Sequence, residues 1–227
     1  MISKCFGIIS YFPNDEEFRR VRKERFLKLV SDLNTYFKLP IIVLAQNWKE
    51  EDLNITYGNN IYIYNYSKGL GITKARIYLR DKLLKHNFDA YIFLDDDSEL
   101  VADKVGANNY LKEIDNHPNM VGKFKGTYMR FLYISNYMLK IMDYDYIKNY
   151  EANRGEIWED FAYLKTYERL YPSKFFTFSR KGIDEISQTS LRDKYSTWYK
   201  TEFGNESNIS RATKEIVNKW CAQKRRR

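Results

Sequence analysis

Three adjacent aspartates, Asp95, Asp96 and Asp97, are the residues of this sequence most suited to chemistry, and they directly follow the apolar run AYIFL at 90–94. Neighbouring carboxylates repel one another, and hard divalent ions such as Mg²⁺ and Mn²⁺ prefer oxygen ligands. A metal bound there would also bind phosphate oxygens and neutralise the charge of a phosphate leaving group. A solvated acidic turn is the alternative, but the position directly after a buried strand favours a metal site.

Two further charged groups have the types expected of a site for an anionic substrate. Lys74 and Arg76 lie near the start of a predicted helix, where backbone amides and cationic side chains attract anions. Glu159 and Asp160 follow the aromatic Trp158, and such surroundings raise the pKa of a carboxyl group toward values useful in proton transfer. For both groups the alternative is an ordinary structural role: surface cations on a helix, and carboxylates at the positive end of a helix dipole.

Strands and helices alternate in the part of the chain that carries the aspartates. The apolar and β-favouring segments predict strands at 5–12, 40–45, 60–65 and 90–94, separated by predicted helices at 15–38 and 71–86. This order predicts an α/β fold with a Rossmann-like, mostly parallel central sheet flanked by helices. Ligands of such sheets bind outside the carboxyl ends of the strands, which is where the triple aspartate lies.

The second half of the chain is less regular. Its patterns predict a strand pair within 120–136, a helix near 136–142, a helix that begins near Glu159, a strand at 174–180 and a helix around 209–222. With 227 residues and no Gly/Ser-rich or Pro-rich linker, the chain is expected to form a single domain.

The stretch from Gly69 to Ser98, GLGITKARIYLRDKLLKHNFDAYIFLDDDS, resembles the donor-binding core of GT-A glycosyltransferases, especially the inverting family 2 type. Those enzymes carry a Gly/Ala-Arg segment at the start of a helix, then an apolar strand that ends in Asp-x-Asp. Ala75-Arg76 and Asp95–Asp97 occupy these positions. The resemblance implies a GT-A fold, a nucleotide-sugar donor and a bound Mn²⁺ or Mg²⁺. It implies a donor-binding half at 1–110 and an acceptor-binding half at 111–227 with a helical tail.

The same resemblance assigns roles to single residues on the donor side. Arg76 would contact the nucleotide, and Lys74, from its position near the start of the helix, would meet the same anion. Asp95 and Asp96 would contact the donor, with Asp95 at its ribose, and Asp95 and Asp97 would bind the metal. The end of the first strand, Ser10-Tyr11, lies where the family holds the base.

On the acceptor side, Asp160 matches the aspartate that deprotonates the acceptor hydroxyl in inverting enzymes of the family. Gln46-Asn47 stands where many members place an acidic residue that contacts the base, so UDP is only the commonest choice. The segment Gln188–Arg192 matches the Gln-x-x-Arg-Trp motif of processive synthases poorly, since no Trp follows. We therefore expect transfer of a single sugar to a glycan, a lipid-linked saccharide or another glycoconjugate.

Composition and charge restrict the kinds of partner, metal site and location that we expect for this protein. The net charge of +8 favours an anionic partner, although Lys224–Arg227 contribute to it and a terminal basic run is usually a solvated, mobile end. Two cysteines without CxxC spacing indicate neither a zinc site nor a disulfide framework. The sequence contains no apolar run long enough for a membrane span. The expected location is the cytoplasm of a bacterial or virus-infected cell, either free or peripherally attached to a membrane.

Three alternatives to a glycosyltransferase that acts on a glycan or glycoconjugate remain open from the sequence. One is a phage-type DNA glycosyltransferase that acts on hydroxylated bases, which would bind DNA with strong salt dependence. Another is a Mg²⁺-dependent nucleotidyltransferase, since those enzymes also use clustered aspartates. The last is a non-catalytic basic binding module, for which the sequence offers no nucleic-acid-binding motif of defined spacing.

Overall fold

The computed structural model describes residues 1–53, 60–125, 131–144, 159–179, 183–186 and 206–226. The first half of the chain forms four strands: β1 (Lys4–Tyr11), β2 (Ile41–Gln46), β3 (Ile61–Tyr66) and β4 (Ala90–Asp95). Between them lie α1 (Glu16–Tyr36), α2 (Glu50–Leu53) and α3 (Ile72–His86). Asp15 caps α1 because its carboxylate accepts a 2.8 Å hydrogen bond from the backbone amide of Phe18.

The second half adds shorter elements. They are β5 (Glu99–Ala102), α4 (Lys104–Asp115), β6 (Val121–Lys123), β7 (Leu132–Ser135), α5 (Asn136–Ile141), α6 (Glu159–Leu170), a 3-10 turn (Pro172–Lys174), β8 (Phe175–Thr177), β9 (Ile183–Ile186) and α7 (Glu206–Lys224).

Seven strands form one sheet in the order β3-β2-β1-β4-β7-β6-β8. Strands β1 to β4 are parallel, β7 is antiparallel to both of its neighbours, and β8 is again parallel to β6. A separate two-stranded antiparallel sheet joins β5 to β9. The predicted α/β class with a mostly parallel sheet flanked by helices is confirmed.

Helices cover both faces of the sheet and create two apolar cores. On one face α3, α5, α6 and α7 bury side chains of β1 and β4 that include Cys5, Tyr91 and Phe93. On the other face α1 and α4 bury the alternate side chains, which include Ile92 and Leu94. This alternation follows from the two-residue period of a strand and fixes the face to which each residue of β4 points.

Helix α4 and the β5–β9 pair were not predicted from the sequence. Gly106, Asn108 and Asn109 give α4 a low intrinsic helix propensity. It forms on the sheet because Tyr110 and Ile114 are buried there and because Asp103 caps its first turn. Among the described residues, no helix is both long enough and apolar enough to cross a membrane. The division into halves at 110 stays a prediction.

Candidate active site

The carboxyl ends of four strands meet at one edge of the sheet. Tyr11 is in register with Gln46, and Gln46 with Tyr66, while Asp95 lies opposite Ile9. The chain runs outward from β1 to β3 on one side and then returns to place β4 on the other side of β1. The crevice between β1 and β4 is therefore the topological switch point, where open α/β sheets bind their ligands.

The three aspartates turn to different partners because strand alternation continues through them. Asp95, the last residue of β4, points to the α3 face and accepts a 2.8 Å hydrogen bond from Nη2 of Arg76. The Arg76 side chain is 4% exposed and that of Asp95 is 32% exposed. Arg76 is therefore buried, whereas its partner Asp95 is partly accessible to solvent.

Asp96 points the opposite way, toward α1, and is enclosed. Its Oδ2 accepts hydrogen bonds from the Ser10 hydroxyl at 2.8 Å and the Tyr11 amide at 3.1 Å, and Arg22 pairs with its Oδ1. Burial raises the pKa of Asp96, whereas the Arg22 charge and the Ser10 hydrogen bond lower it. These contacts fasten the aspartate loop to β1 and α1. Direct donor contact by Asp96 and by the buried Ser10 side chain stays a prediction.

Asp97 is the second partly exposed carboxylate of the cluster. Its side chain is 17% exposed, and its Oδ2 lies 3.7 Å from Nη1 of Arg22. The described residues contain no preformed group of three or more His, Cys, Asp or Glu side chains for a metal. Mg²⁺ and Mn²⁺ bind through as few as one or two carboxylates and complete their shell with water and substrate phosphates, and Asp95 and Asp97 are the partly exposed carboxylates of this loop.

Arg22 is a functional candidate that the sequence analysis missed. It lies on α1 between Phe18 and Phe26, one turn from each, and both phenylalanines are buried in the protein. Arg22 therefore lies on the apolar face of α1. A cation on such a face indicates a buried carboxylate partner, because an unpaired buried charge is costly. The sequence alone does not indicate which carboxylate, since Asp96 is distant in the chain.

The segment before α3 passes over the end of β1. The Leu70 amide donates a 2.8 Å hydrogen bond to Oε1 of Gln46, and a Cβ at Gly69 would lie 3.3 Å from the Tyr11 ring. The loop thus packs closely on Tyr11, which stays partly exposed. Lys74 is exposed in the first turn of α3. Tyr11 and Lys74 are therefore accessible to solvent at this end of the sheet.

Asp160 reaches the same site from the other half of the chain. It is the second residue of α6, and the charges of Arg76 and Asp95 both act on its carboxyl group. Burial raises the pKa of Asp160, the Arg76 charge opposes the rise, and the Asp95 charge adds to it. One turn further along α6, the Tyr163 hydroxyl donates a 2.9 Å hydrogen bond to the Met142 carbonyl and so fixes the helix.

No protein-family model matches the sequence, and no curated protein matches it. Solved structures do. The chain is similar to residues 1–349 of Staphylococcus aureus TarS in complex with UDP, with a TM-score of 0.59 and 14% identity over 96% of this chain and 71% of that chain. Against another TarS structure the TM-score is 0.57 at 15% identity over 96% of this chain, which spans 43% of that chain. TarS is a GT-A glycosyltransferase.

The chain has a GT-A-like fold.

Two other solved structures cover nearly the whole of both chains. A Desulfovibrio desulfuricans G20 protein, named as a candidate nucleotide-diphospho-sugar transferase, gives a TM-score of 0.54 at 9% identity over 97% of this chain and 99% of that chain. A cytidylyltransferase from Leptospira borgpetersenii gives 0.54 at 11% identity over 96% and 93%. At identities this low, structural similarity establishes the fold but not the reaction.

The GT-A-like fold confirms the resemblance that the sequence predicted, and the roles of individual residues stay predictions. Asp95, Arg76 and Asp160 come together in one place, Asp97 lies two residues from Asp95 beside Arg22, and Tyr11 and Lys74 are accessible at the same end of the sheet. Trp158 and the segment Gln188–Arg192 lie outside the described residues.

Proposed function

We propose that this protein is a metal-dependent glycosyltransferase that moves one sugar from a nucleotide sugar, a UDP-sugar, to an acceptor hydroxyl with inversion. The observation that carries the proposal is the convergence of Asp160 with the Arg76–Asp95 pair at the switch point of a GT-A-like sheet. A carboxyl group with a raised pKa suits a general base, and Asp160 lies within reach of the charges of Arg76 and Asp95.

Asp97, together with Asp95, would hold Mn²⁺ or Mg²⁺. When bound, the metal would supply positive charge that stabilises the leaving diphosphate. Lys74, exposed in the first turn of α3, and the backbone amides of that turn would face the same phosphates. The enclosed Arg76 acts through Asp95, whose side chain it orients toward the crevice.

The proposed transfer of the sugar is a single displacement. Asp160 accepts the proton of the acceptor hydroxyl, and the oxygen forms a bond to the anomeric carbon of the donor sugar. The bond between that carbon and the β-phosphate oxygen breaks, and the nucleoside diphosphate leaves with the electron pair. Attack from the face opposite the leaving group inverts the anomeric configuration. Burial raises the pKa of Asp160 and thereby makes its carboxylate a stronger base.

For the donor, UDP is supported by the TarS structures, which contain UDP in one case and UDP-GlcNAc in another. The acceptor we propose is a glycan or glycoconjugate. The side chain that would contact the base is Tyr11, whose aromatic ring lies partly exposed beneath the loop at Gly69.

Thermal melting with a panel of nucleoside diphosphates, each with and without Mn²⁺, tests the donor assignment. UDP with Mn²⁺ should raise the melting temperature by mass action, and Asp95→Ala/Asp97→Ala should abolish the increase. Asp81→Ala, which removes an exposed carboxylate of α3, should retain it. A metal-dependent increase that survives loss of Asp95 and Asp97 would place the donor elsewhere.

Nucleotidyl transfer is the second candidate, because the cytidylyltransferase from L. borgpetersenii shares the fold over 93% of its length. The two reactions release different products. Glycosyl transfer from a UDP-sugar releases UDP, whereas nucleotidyl transfer from a nucleoside triphosphate to a sugar phosphate releases pyrophosphate. Product analysis with both substrate sets should detect UDP and no pyrophosphate; the reverse result would assign the protein to the second class.

A further inference from the structure

The last residues of β1, β2 and β3 form a row of polar side chains on the α3 face of the sheet. Tyr11 is in register with Gln46, and Gln46 with Tyr66. In each strand the residue two positions earlier belongs to the core on the α3 face or packs against it, so strand alternation gives the row the same face. The row contains two phenol groups and one amide, and no carboxylate.

Gln46 and Asp95 lie on the two sides of the end of β1. Asp95 is in register with Ile9 and Gln46 with Tyr11, so they are separated by two strand spacings and two residues. With about 4.8 Å between strands and about 3.3 Å per residue, their Cα atoms are roughly 12 Å apart. An extended nucleoside diphosphate has a similar reach. With its phosphates at Asp95, such a ligand can therefore place its base at the end of β2.

The side-chain amide of Gln46 has a fixed orientation. Its Oε1 accepts a 2.8 Å hydrogen bond from the backbone amide of Leu70. Because a backbone N–H only donates, the oxygen of the Gln46 amide faces Leu70 and the nitrogen Nε2 points away from it. Gln46 is only 4% exposed, and in the part of the chain that the structure describes no acceptor pairs with Nε2. Buried donors are normally paired, so this one indicates a ligand.

The neighbouring side chains that could donate at this end of β2 already have partners. Asn47 Nδ2 donates to the Phe12 carbonyl at 2.7 Å and to Asn14 Oδ1 at 2.9 Å. Trp48 Nε1 donates to the Ser10 hydroxyl at 3.2 Å, on the other face of the sheet. These contacts fasten the loops after β1 and β2 to each other. The donor that remains for a ligand is Nε2 of Gln46.

A single amide donor next to an aromatic ring distinguishes bases by what they carry at the hydrogen-bonding edge. Uracil carries the acceptor O4, whereas cytosine carries an amino group at the same position, which would meet Nε2 donor to donor. A site built to form a hydrogen bond rejects a ligand that leaves its polar group unpaired. The ring of Tyr11 adds stacking, which every base accepts because every base has a π-face.

We propose that Gln46 selects the base of the donor nucleotide by donating a hydrogen bond from Nε2 to O4 of uracil, while Tyr11 packs on the base without discriminating. This deepens the proposed function and rests on the donor site described there. Gln46 is then a specificity-determining residue. Replacing its donor with an acceptor should reverse the preference between UDP and CDP.

Calorimetric titrations with UDP and with CDP, each with Mn²⁺, test this selection. The two ligands share ribose, diphosphate and metal, so the ratio of their dissociation constants reports on the base alone. Wild type should bind UDP about tenfold more tightly than CDP. In Gln46→Glu one oxygen still accepts from Leu70 and the other accepts from the cytosine amino group, so the ratio should reverse. Gln223→Glu, the same change on the exposed surface of α7, should keep the wild-type ratio.

Two further variants keep the test decisive if a buried carboxylate disturbs the fold. Gln46→Met removes the donor without adding charge and should bring the ratio of the dissociation constants close to one. Tyr11→Leu should weaken both ligands alike and keep the ratio. Thermal melting without ligand verifies that each variant is folded.

The outcomes separate this selection from the donor site itself. A preference for UDP that is the same in wild type, Gln46→Glu and Gln46→Met would overturn the role of Gln46 and leave the donor site standing. A wild type that prefers CDP would overturn the contact with O4. If wild type binds neither ligand in the presence of Mn²⁺, the proposed donor site fails and the selection fails with it.

Discussion

At the scale of single residues, the aspartate cluster separates into carboxylates with different tasks. Strand alternation sends Asp95 to the α3 face and Asp96 to the α1 face, because β4 continues its two-residue period into the loop. Asp96 is then enclosed by Ser10 and Arg22, while Asp95 and Asp97 remain reachable. The sequence predicts the cluster. Because Asp95 lies two residues after Phe93, the sequence also predicts that Asp95 and Asp96 point to opposite faces of the sheet. The sequence does not predict the partners of Asp96, because Ser10 and Arg22 belong to elements far from it along the chain.

Asp160→Asn is expected to abolish transfer and preserve donor binding. The amide is close to the carboxyl group in size but cannot accept the acceptor proton, and loss of a general base typically costs about 10²–10⁴-fold in rate. Turnover is measured as UDP release, and donor binding as the rise in melting temperature with UDP and Mn²⁺. Glu168→Gln, on the same helix but facing Lys123, should retain turnover. Activity close to wild type in Asp160→Asn would move the base to another residue.

Arg22→Gln is expected to destabilise the fold strongly. It leaves the Asp96 carboxylate, whose side chain is 3% exposed, without its cation. Removing one partner of a buried ion pair typically costs about 3–5 kcal/mol. Urea unfolding measures the loss. Arg25→Gln, on the same helix and 3.9 Å from the partly exposed Glu99, should cost less than about 1 kcal/mol. Similar losses in both variants would show that Arg22 does not neutralise Asp96.

At the scale of elements, the order of strands and long helices follows from the sequence because each apolar run is bounded by polar or turn residues. The predicted strand at 40–45 forms at Ile41–Gln46, and the predicted helix at 71–86 forms at Ile72–His86. Helix α4 was missed since its Gly and Asn residues disfavour a helix and only burial of Tyr110 and Ile114 stabilises it. Propensity is local, whereas that burial depends on the completed sheet.

The contact of α1 with α2 gives the protein a defined acid sensitivity. Asp52, in α2, accepts hydrogen bonds from Lys23 Nζ at 2.7 Å and the Lys49 amide at 2.9 Å, and pairs with Arg19. Burial raises the pKa of Asp52, but these three donors outweigh burial and hold the pKa below its ordinary value of 3.8. Its stabilisation is therefore fully present above that value and is lost as the pH falls below it.

Asp52→Asn should accordingly lower the free energy of unfolding most at pH 7 and progressively less below about pH 4. Urea unfolding at pH 7, 5, 4 and 3 measures the difference from the wild type at each pH. Asp32→Asn, which removes an exposed pair with Lys28 on α1, serves as the control and should change stability little. A difference for Asp52→Asn that is constant down to pH 3 would contradict the folded-state pairing.

At the scale of the whole molecule, the centre of the sheet is closed to reagents. Cys5 in β1 is fully buried between β2 and β4, and burial raises the pKa of its thiol. Because the thiolate is the reactive form, alkylation of Cys5 requires that the sheet opens. In a Cys221→Ser variant at pH 8, labelling by iodoacetamide should follow the unfolded fraction across a urea titration. Rapid labelling in buffer without urea would show that the sheet opens locally around β1.

The β5–β9 pair also affects the order of events during folding. Glu99–Ala102 directly follow the aspartate loop, yet their partner strand is Ile183–Ile186, much further along the chain. The βαβ units of the first half close over short sequence separations and form early, whereas pairings across long separations form late. During synthesis on a ribosome, the strands of the sheet can therefore assemble before β9 has emerged. The segment beside the aspartates reaches its final pairing only after Ile183–Ile186 has been made.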